Sequence, residues 1–414
     1  MSEEFYHHTF ESGLTVVAEK MRGVRSAAFT FLVPAGAAYD PPDRGGLAAL
    51  LVDLIFRGAG TRDSRQLMTD LDNLGLQRGE GTETVHTSLF AATVATNLIP
   101  ALEIYADIVC RPRLPADEVD AVRALALQEL QALEDEPRQK IFVELRSRHF
   151  PHPWGRPTVG LRPVLESATH QELVAHHAHV FRPNGAILGV AGDIEWHELL
   201  EAVDRLWGDW PAVGTLHLEP GPRGPKTDHI DQETTQTQIG IAYNTVAYRD
   251  PDYFNAQGCV SVLSGGSSSR LFTEVREKRG LCYAVYASYH SLAHTGAVVC
   301  YAGTTSERAQ ETLEVTLREI TRLRQGIADE EVVRAQAGLK ASLIMQGESS
   351  SARSAAVASD WYHLGRVRHL SEMQAAIDGL TPESILEHLQ RHPPTDFTIM
   401  TLGPSPLQVP AELA

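Results

Sequence analysis

The chain has 414 residues, enough for two or more hydrophobic cores. With 43% hydrophobic and 21% charged residues it has the balance of a globular chain rather than a disordered one, and no apolar run approaches the ~20 residues of a membrane helix. A formal net charge of −17 argues against nucleic acid as the main partner and suits basic or neutral ones, cationic peptides among them.

The opening stretch, MSEEFYHHTFESG, has neither the basic and apolar regions of a secretory signal nor an Arg-rich transit composition, so the chain reads as cytoplasmic. Leu14 to Ala18 and Ser26 to Pro34 read as strands. Asp40 to Gly46 is a turn holding Pro41 and Pro42. Leu47 to Phe56 is helical, with Leu47, Leu50, Leu51 and Leu54 as its apolar stripe. A helix over Ser64 to Leu74 and a strand over Thr84 to Thr93 follow. Helices are expected over Ile99 to Val109, Asp117 to Leu133, Arg138 to Phe150, His170 to Phe181 and Glu195 to Trp207, with a strand at Ala186 to Ala191. His176 and His179 share a face of their helix, with His170 further back, and read as an exposed His-rich face. The four cysteines, Cys110, Cys259, Cys282 and Cys300, form no CxxC or Cys/His cluster, so neither a zinc knuckle nor a disulfide framework is indicated.

Gly214 to Asp228 is the one stretch dense in Pro and Gly and reads as a linker. Beyond it the pattern restarts: Ala38-Tyr39 and Pro42-Asp43 recur as Ala247-Tyr248 and Pro251-Asp252 at a constant offset of 209 residues. Both copies follow a strand (FTFLVP; IGIAYN) and precede a helix, and AILGVAGD and DFTIMTLG close the two halves. Such a repeat predicts two domains of one fold. Each is α+β, a largely antiparallel sheet with helices packed on it, over residues 1–213 and 229–414 with 214–228 as linker.

The stretch from Gly265 to Tyr289 carries the densest pattern. Ser267 or Ser268 is a candidate N-cap, Leu271 and Val275 give an apolar stripe, Gly280 sits where a C′ glycine ends a helix, and Leu281 to Tyr289 reads as a strand. Arg276 and Tyr283 are thereby brought close together, two donors to an anionic oxygen. The residues alone equally fit a helix-capping arginine and a half-buried packing tyrosine. The frame SSRLFxExREKRGLxYxV, however, resembles the second-half motif of the M16 (pitrilysin, insulysin, mitochondrial processing peptidase) metallopeptidases, in which an Arg and a Tyr seven residues on face a zinc site held by another domain. GGLAALLVDLIFRGAG, LQELQALEDEP and HPWGRPTVG resemble first-half segments of that family, so the resemblance spans nearly the whole chain and implies two homologous domains arranged as a half-shell.

The family's inverted zinc motif, H-x-x-E-H, sets two His at i and i+4 with a Glu base between them. Here Ala49, Val52 and Asp53 stand at the His, Glu and His positions, and Glu129 at the position of the third ligand. Two carboxylates without an imidazole are too few for tetrahedral zinc, so no metal is expected on this chain. No phosphate loop, HExxH or Gly-x-Ser-x-Gly elbow occurs elsewhere. The resemblance therefore implies the non-zinc subunit of a heterodimeric metallopeptidase: Arg276 and Tyr283 bind peptide substrate and stabilise the transition state, zinc sits on an HxxEH-bearing homologue, and this chain is inactive alone. Thr84 to Thr93 would match the edge strand on which the catalytic chain of such a pair binds peptide. The alternatives are a catalytically inactive M16-like scaffold or assembly protein and, third, a divergent metallopeptidase using Asp53 and Glu129.

Overall fold

The structure, a computed structural model, describes residues 3–410. Its first sheet is built on a strand with no polar face: in Ser26–Val33 (β3, SAAFTFLV) every residue after Ser26 is buried, as expected where both faces of a strand are covered. Around it lie β1 (Glu4–Thr9), β2 (Thr15–Lys20), β6 (Gln77–Thr82), β7 (Thr87–Val94) and β8 (Ile187–Gly192), in the order β1-β2-β8-β3-β7-β6. Only β2 and β8 run parallel. A two-residue hairpin, β4 (Gly58–Ala59) with β5 (Arg62–Asp63), stands apart. The helices from this half of the chain are α1 (Leu47–Leu54), α2 (Ser64–Asn73), α3 (Leu98–Cys110), α4 (Val119–Asp135), α5 (Pro137–His149), α6 (Arg162–Ser167), α7 (His170–Val180) and α8 (Trp196–Trp207).

The second sheet holds β9 (Thr227–Asp231), β10 (Gln236–Thr245), β11 (Cys282–Ser291), β12 (Gly296–Thr305) and β13 (Thr398–Gly403), ordered β11-β12-β10-β13-β9, with β9 and β13 parallel. Read in reverse, this is the β2-β8-β3-β7-β6 order of the first sheet, parallel pair included, so the repeat seen in the residues is a repeat of topology. The helices from this half of the chain are α9 (Tyr253–Ser264), α10 (Ala309–Arg322), α11 (Asp329–Gly347), α12 (Ser350–Leu364), α13 (Leu370–Asp378) and α14 (Pro382–Arg391).

The chain divides into two compact units, and these are not contiguous. One comprises the residues up to Ala132, His152–Pro222 and Gln346–Arg368; the other comprises Leu133–Pro151, Arg223–Met345 and the residues from His369 on. The crossing at Pro222–Arg223 falls within the Pro/Gly stretch, but α5 belongs to the second unit and α12 to the first. Ile141 and Leu145 of α5 pack on Ala242, Val299, Met400 and Leu402 of the second sheet. Val357 and Ala358 of α12 pack on Val17, Leu32 and Ile187 of the first. Gly189 makes that approach possible, since a Cβ there would lie 2.5 Å from the Ser354 carbonyl oxygen. The N-terminal half of α12 is polar: Arg353 Nε donates to Glu19 Oε2 at 2.6 Å, and the Ser350 and Ser354 hydroxyls meet those of Ser26 and Thr30, each at 3.1 Å. A buried ion pair of this kind fixes register more than it stabilises.

Several elements depart from the sequence expectations. β7 is internal, paired to both β3 and β6, and the sheet edge on that side is β6. The edge strand expected at Thr84 to Thr93 is therefore Gln77–Thr82 (QRGEGT) instead, whose glycines and charges conceal it as a strand. β9 begins inside the expected linker, at Thr227 and Asp228, which with His229 pair with Ile399, Met400 and Thr401.

The exchange has a consequence for a nicked chain. Arg223 is exposed at the crossing and is a site for limited trypsin cleavage. The two fragments are expected to co-elute on native size exclusion and separate only in denaturant, because each carries a helix buried in the other unit. Spontaneous separation of the fragments in native buffer would contradict the exchange.

Candidate functional site

The first candidate lies on α1. Asp40 starts that helix: its Oδ2 accepts from Gly46 N at 2.6 Å and its Oδ1 from Ala48 N at 2.9 Å, satisfying donors at the helix N-terminus. Ala49 and Asp53 are half-buried and Val52 is buried, while Glu129 of α4 is exposed. Burial, and after it the negative charges of Glu129 and Glu80, push the Asp53 carboxyl up to about 6, against a weaker pull from Arg57. The structure thus brings Asp53 and Glu129 within electrostatic reach and adds Glu80. These residues do not fit a zinc ion: two of the helix positions carry no donor atom, and the remainder are carboxylates without an imidazole, two of which raise the proton affinity of Asp53.

The sign of that shift yields a test. Above pH 6 folding holds Asp53 ionised in surroundings that disfavour it, a penalty absent below pH ~4, where folded and unfolded chains are both protonated. Asp53→Asn is expected to stabilise the chain at pH 7.5 by on the order of 1–3 kcal/mol, with the gain fading toward pH 4. Calorimetric melting of both proteins across that range measures it, and a pH-independent difference would refute the assignment.

The second candidate is the segment from Arg270 to Tyr283. Arg270 is anchored by a two-pronged pair to Glu331, both contacts 2.7 Å, and by the Gly326 carbonyl at 2.7 Å. Leu271 and Val275 are fully buried. Neither Ser267 nor Ser268 caps a helix; both lie in a turn, and the helix starts at Arg270. Phe272–Glu277 is a π-helical turn, closed by Lys278 N to Thr273 O at 2.9 Å, a wider turn that recurs at functional sites. Gly280, at φ +59°, takes the left-handed conformation that stops it. β11 then opens with a bulge: Cys282 pairs with Thr304 and Ala284 with Gly303, leaving Tyr283 as the extra residue. A bulge re-aims the side chain it carries, and Tyr283 is 81% exposed, which excludes a half-buried packing role.

Arg276 and Tyr283 meet. The guanidinium carbon of Arg276 lies 5.2 Å from the Tyr283 ring centroid and 4.7 Å from that of Phe272, a cation–π sandwich. Nearby Glu274 is taken by Lys278 and Arg279, each at 2.7 Å, and no carboxylate pairs with Arg276 among the described residues. Arg276 caps no helix. Tyr283 also lines a cavity of about 430 Å³ with Tyr301, Gln238 and Arg138. Arg138, at the start of α5, stacks over Tyr286 and Tyr301 at 5.3 and 5.4 Å and donates to the Tyr286 hydroxyl at 3.1 Å. Nothing near Arg138 in the sequence signals this, because its helix comes from the other half of the chain.

A third cluster is Asp252, His388 and His392, whose ligand atoms lie within 4.8 Å of one another. The Asp252 carboxylate is already engaged, by His388 Nδ1 at 3.0 Å, Arg391 at 2.8 Å and Asn255 at 3.0 Å. Burial lowers the proton affinity of His388 against the pull of Asp252. The first unit has the counterpart: His176 Nε2 lies 3.0 Å from Asp40 Oδ1, both buried. His176 is therefore not part of an exposed face, and His170 is tied by Nε2 to the Leu114 carbonyl at 2.7 Å. Positions 40 and 252, and 176 and 388, are separated by the same interval. The structure thus matches Asp252 to Asp40, where the sequence repeat aligned it with Asp43, and in each unit the pair sets a later helix beside the helix that follows β3 or β10.

A two-fold repeated α+β chain with a depleted H-x-x-E-H helix, and with an arginine on a π-helical turn packed against a tyrosine at a strand bulge, defines an M16-type peptidase fold. Sequence models of this family match two stretches: the insulinase (peptidase family M16) model covers residues 15–160, and the M16 inactive-domain model covers 167–339. The chain belongs to peptidase family M16. Similar full-length proteins include one named an uncharacterized zinc protease from Rickettsia felis, 24% identical over 99% of this chain and 100% of its own length. Another is the uncharacterized zinc protease YmxG of Bacillus subtilis, 24% identical over 96% and 98%. Among solved structures, a peptidase M16 inactive domain from Pseudomonas fluorescens superposes with a TM-score of 0.88 at 22% identity, covering 98% of this chain and 99% of that one. A protease from Helicobacter pylori also gives 0.88, at 19% identity over 98% and 100%. No helix among the described residues is long and apolar enough to cross a membrane.

Proposed function

We propose that this chain is the non-zinc subunit of a two-chain M16 metallopeptidase, cytoplasmic and inactive alone, which acts on peptide substrate held at the zinc of an HxxEH-bearing homologue. The observation that carries the reading is the contrast between the two candidates: Ala49 and Val52 offer a metal nothing, while the Arg276 guanidinium, with no carboxylate partner among the described residues, lies beside Tyr283, a residue 81% exposed. Two fixed donors side by side suit a carbonyl oxygen that gains charge as its carbon becomes tetrahedral. In this reading the Tyr283 hydroxyl and the Arg276 guanidinium donate to that oxygen, and the stack with Phe272 holds both in place before substrate arrives. Zinc chemistry belongs to the partner in this division of labour.

The purified chain is accordingly expected to hold no stoichiometric zinc and to cleave no fluorogenic peptide; one tight zinc per chain with chelator-sensitive cleavage would refute this. Mixed with its HxxEH-bearing homologue, it is expected to form a complex on size exclusion that buries roughly 1,200–2,000 Å² or more. In that complex Tyr283→Phe should lower kcat about 10²–10³-fold and Arg276→Ala at least as much, with KM less affected. Tyr286→Phe is not a neutral control, because its hydroxyl accepts from Arg138; Lys278→Ala, exposed on the same turn, is the control and should leave turnover unchanged. Wild-type turnover in both variants would instead assign the chain as an M16-like scaffold.

A further inference from the structure

We propose that the first unit carries a binding site for a small organic carboxylate, in which the Arg182 guanidinium takes the carboxylate and an aromatic enclosure takes the body of the ligand. The site is a cavity of about 300 Å³ at one end of the first sheet, with Arg182, Tyr39, His86, Trp361 and Tyr362 among its walls. That volume is at the lower end of the roughly 300–1,000 Å³ of small-molecule pockets.

Arg182 is the reason to expect an anion. It is only 6% exposed. Its two terminal nitrogens donate to the Gly214 and His179 carbonyls, and its Nε has no acceptor. Among the described residues no carboxylate pairs with it, and burial lowers its proton affinity. A buried charge is ordinarily paired, and this fold follows that rule at Arg353 with Glu19 and at Arg368 with Asp360. The guanidinium is also held in place: the carbonyl bonds fix it, and Asn184 Oδ1 accepts from Val213 N at 3.0 Å, pinning the rim segment that continues into the wall at Thr215 and Leu216.

The rest of the enclosure selects an apolar or planar body with a single negative charge. His86 packs edge-on to Tyr362 with centroids 4.5 Å apart. Burial, and then the neighbouring His363, hold its pKa at about 3, so at neutral pH it is an uncharged aromatic wall. Arg182 therefore supplies the one positive charge of the pocket, matched to one carboxylate. Two sources share that chemistry, a free aromatic acid and the C-terminal carboxylate of a peptide.

The experiment is isothermal titration calorimetry of the full chain with benzoate and with N-acetylphenylalanine, each against its primary amide. At least one acid is expected to bind with a Kd below about 10 mM and at least about tenfold tighter than its amide, the size of one charge-assisted hydrogen bond. Tighter benzoate binding identifies the free acid as the source, and tighter N-acetylphenylalanine binding the peptide terminus. Arg182→Gln should abolish the preference for acid over amide, and Arg182→Lys should keep part of it. Should Arg182→Gln fail to fold, Trp361→Leu serves instead: it should weaken acid and amide together and leave their ratio intact. Absence of binding by both acids, equal binding of acid and amide, an unchanged preference in a folded Arg182→Gln, or unaltered affinities in Trp361→Leu would overturn the proposal.

Discussion

The structure depends on the burial of two helices away from the half of the chain that encodes them. α5 supplies Ile141 and Leu145 to the second sheet, and α12 supplies Val357 and Ala358 to the first. Each sheet face would otherwise leave apolar side chains in water, at about 25 cal/mol per Å² of exposed apolar surface. Neither unit is complete as a contiguous stretch, so the repeat is covalent in sequence but reciprocal in packing. The exchange also delivers chemistry: Arg138 reaches the cavity of Tyr283 because α5 packs on β10 and β13.

How far the sequence could be read follows from how local each signal is. The α1 stripe, the Gly280 stop and the nearness of Arg276 to Tyr283 depend on residues adjacent in the chain, and their spacing carried them. The two-domain α+β repeat was legible for the same reason, since Ala-Tyr and Pro-Asp recur at a fixed offset. What was not legible depends on distant partners. β6 is polar and glycine-containing because it is an edge strand with an open side, so it lacks the apolar alternation by which strands are recognised. His176 reads as surface on a helical wheel, and only the remote Asp40 makes its burial tolerable. The bulge at Tyr283 needs the register of β11 against β12, which no single-strand pattern contains.

The Asp–His tether shows how the two repeats have diverged. In both units an Asp before the helix that follows β3 or β10 lies 3.0 Å from a His on a later helix. In the second, Arg391 and Asn255 join, and the carboxylate is fully engaged. In the first, the Asp40 oxygens are occupied by the backbone donors of α1. The Asp–His approach thus recurs in both units, and the residues that follow it differ: α1 carries Ala49 and Val52, and the segment after α9 carries Arg276 and Tyr283.

Charge pairing separates the functional candidates from the scaffold. Arg270 and Arg276 lie six residues apart on one segment, yet Arg270 is held by both oxygens of Glu331 while Arg276 rests only on aromatic rings. Arg353 and Arg368 are buried with carboxylates, whereas Arg182 is buried without one. Asp53 is the negative counterpart, a carboxylate whose nearest charges include two more of its own sign. Arg270, Arg353 and Arg368 have a carboxylate within ion-pair distance, whereas among the described residues Arg276, Arg182 and Asp53 have no such oppositely charged partner. Unpaired charges at partly enclosed positions are costly to retain and available to a ligand. In the readings proposed above, Arg276 meets a substrate carbonyl and Arg182 a carboxylate, whereas Asp53 stands on a helix whose neighbouring positions, Ala49 and Val52, carry no metal-binding atoms.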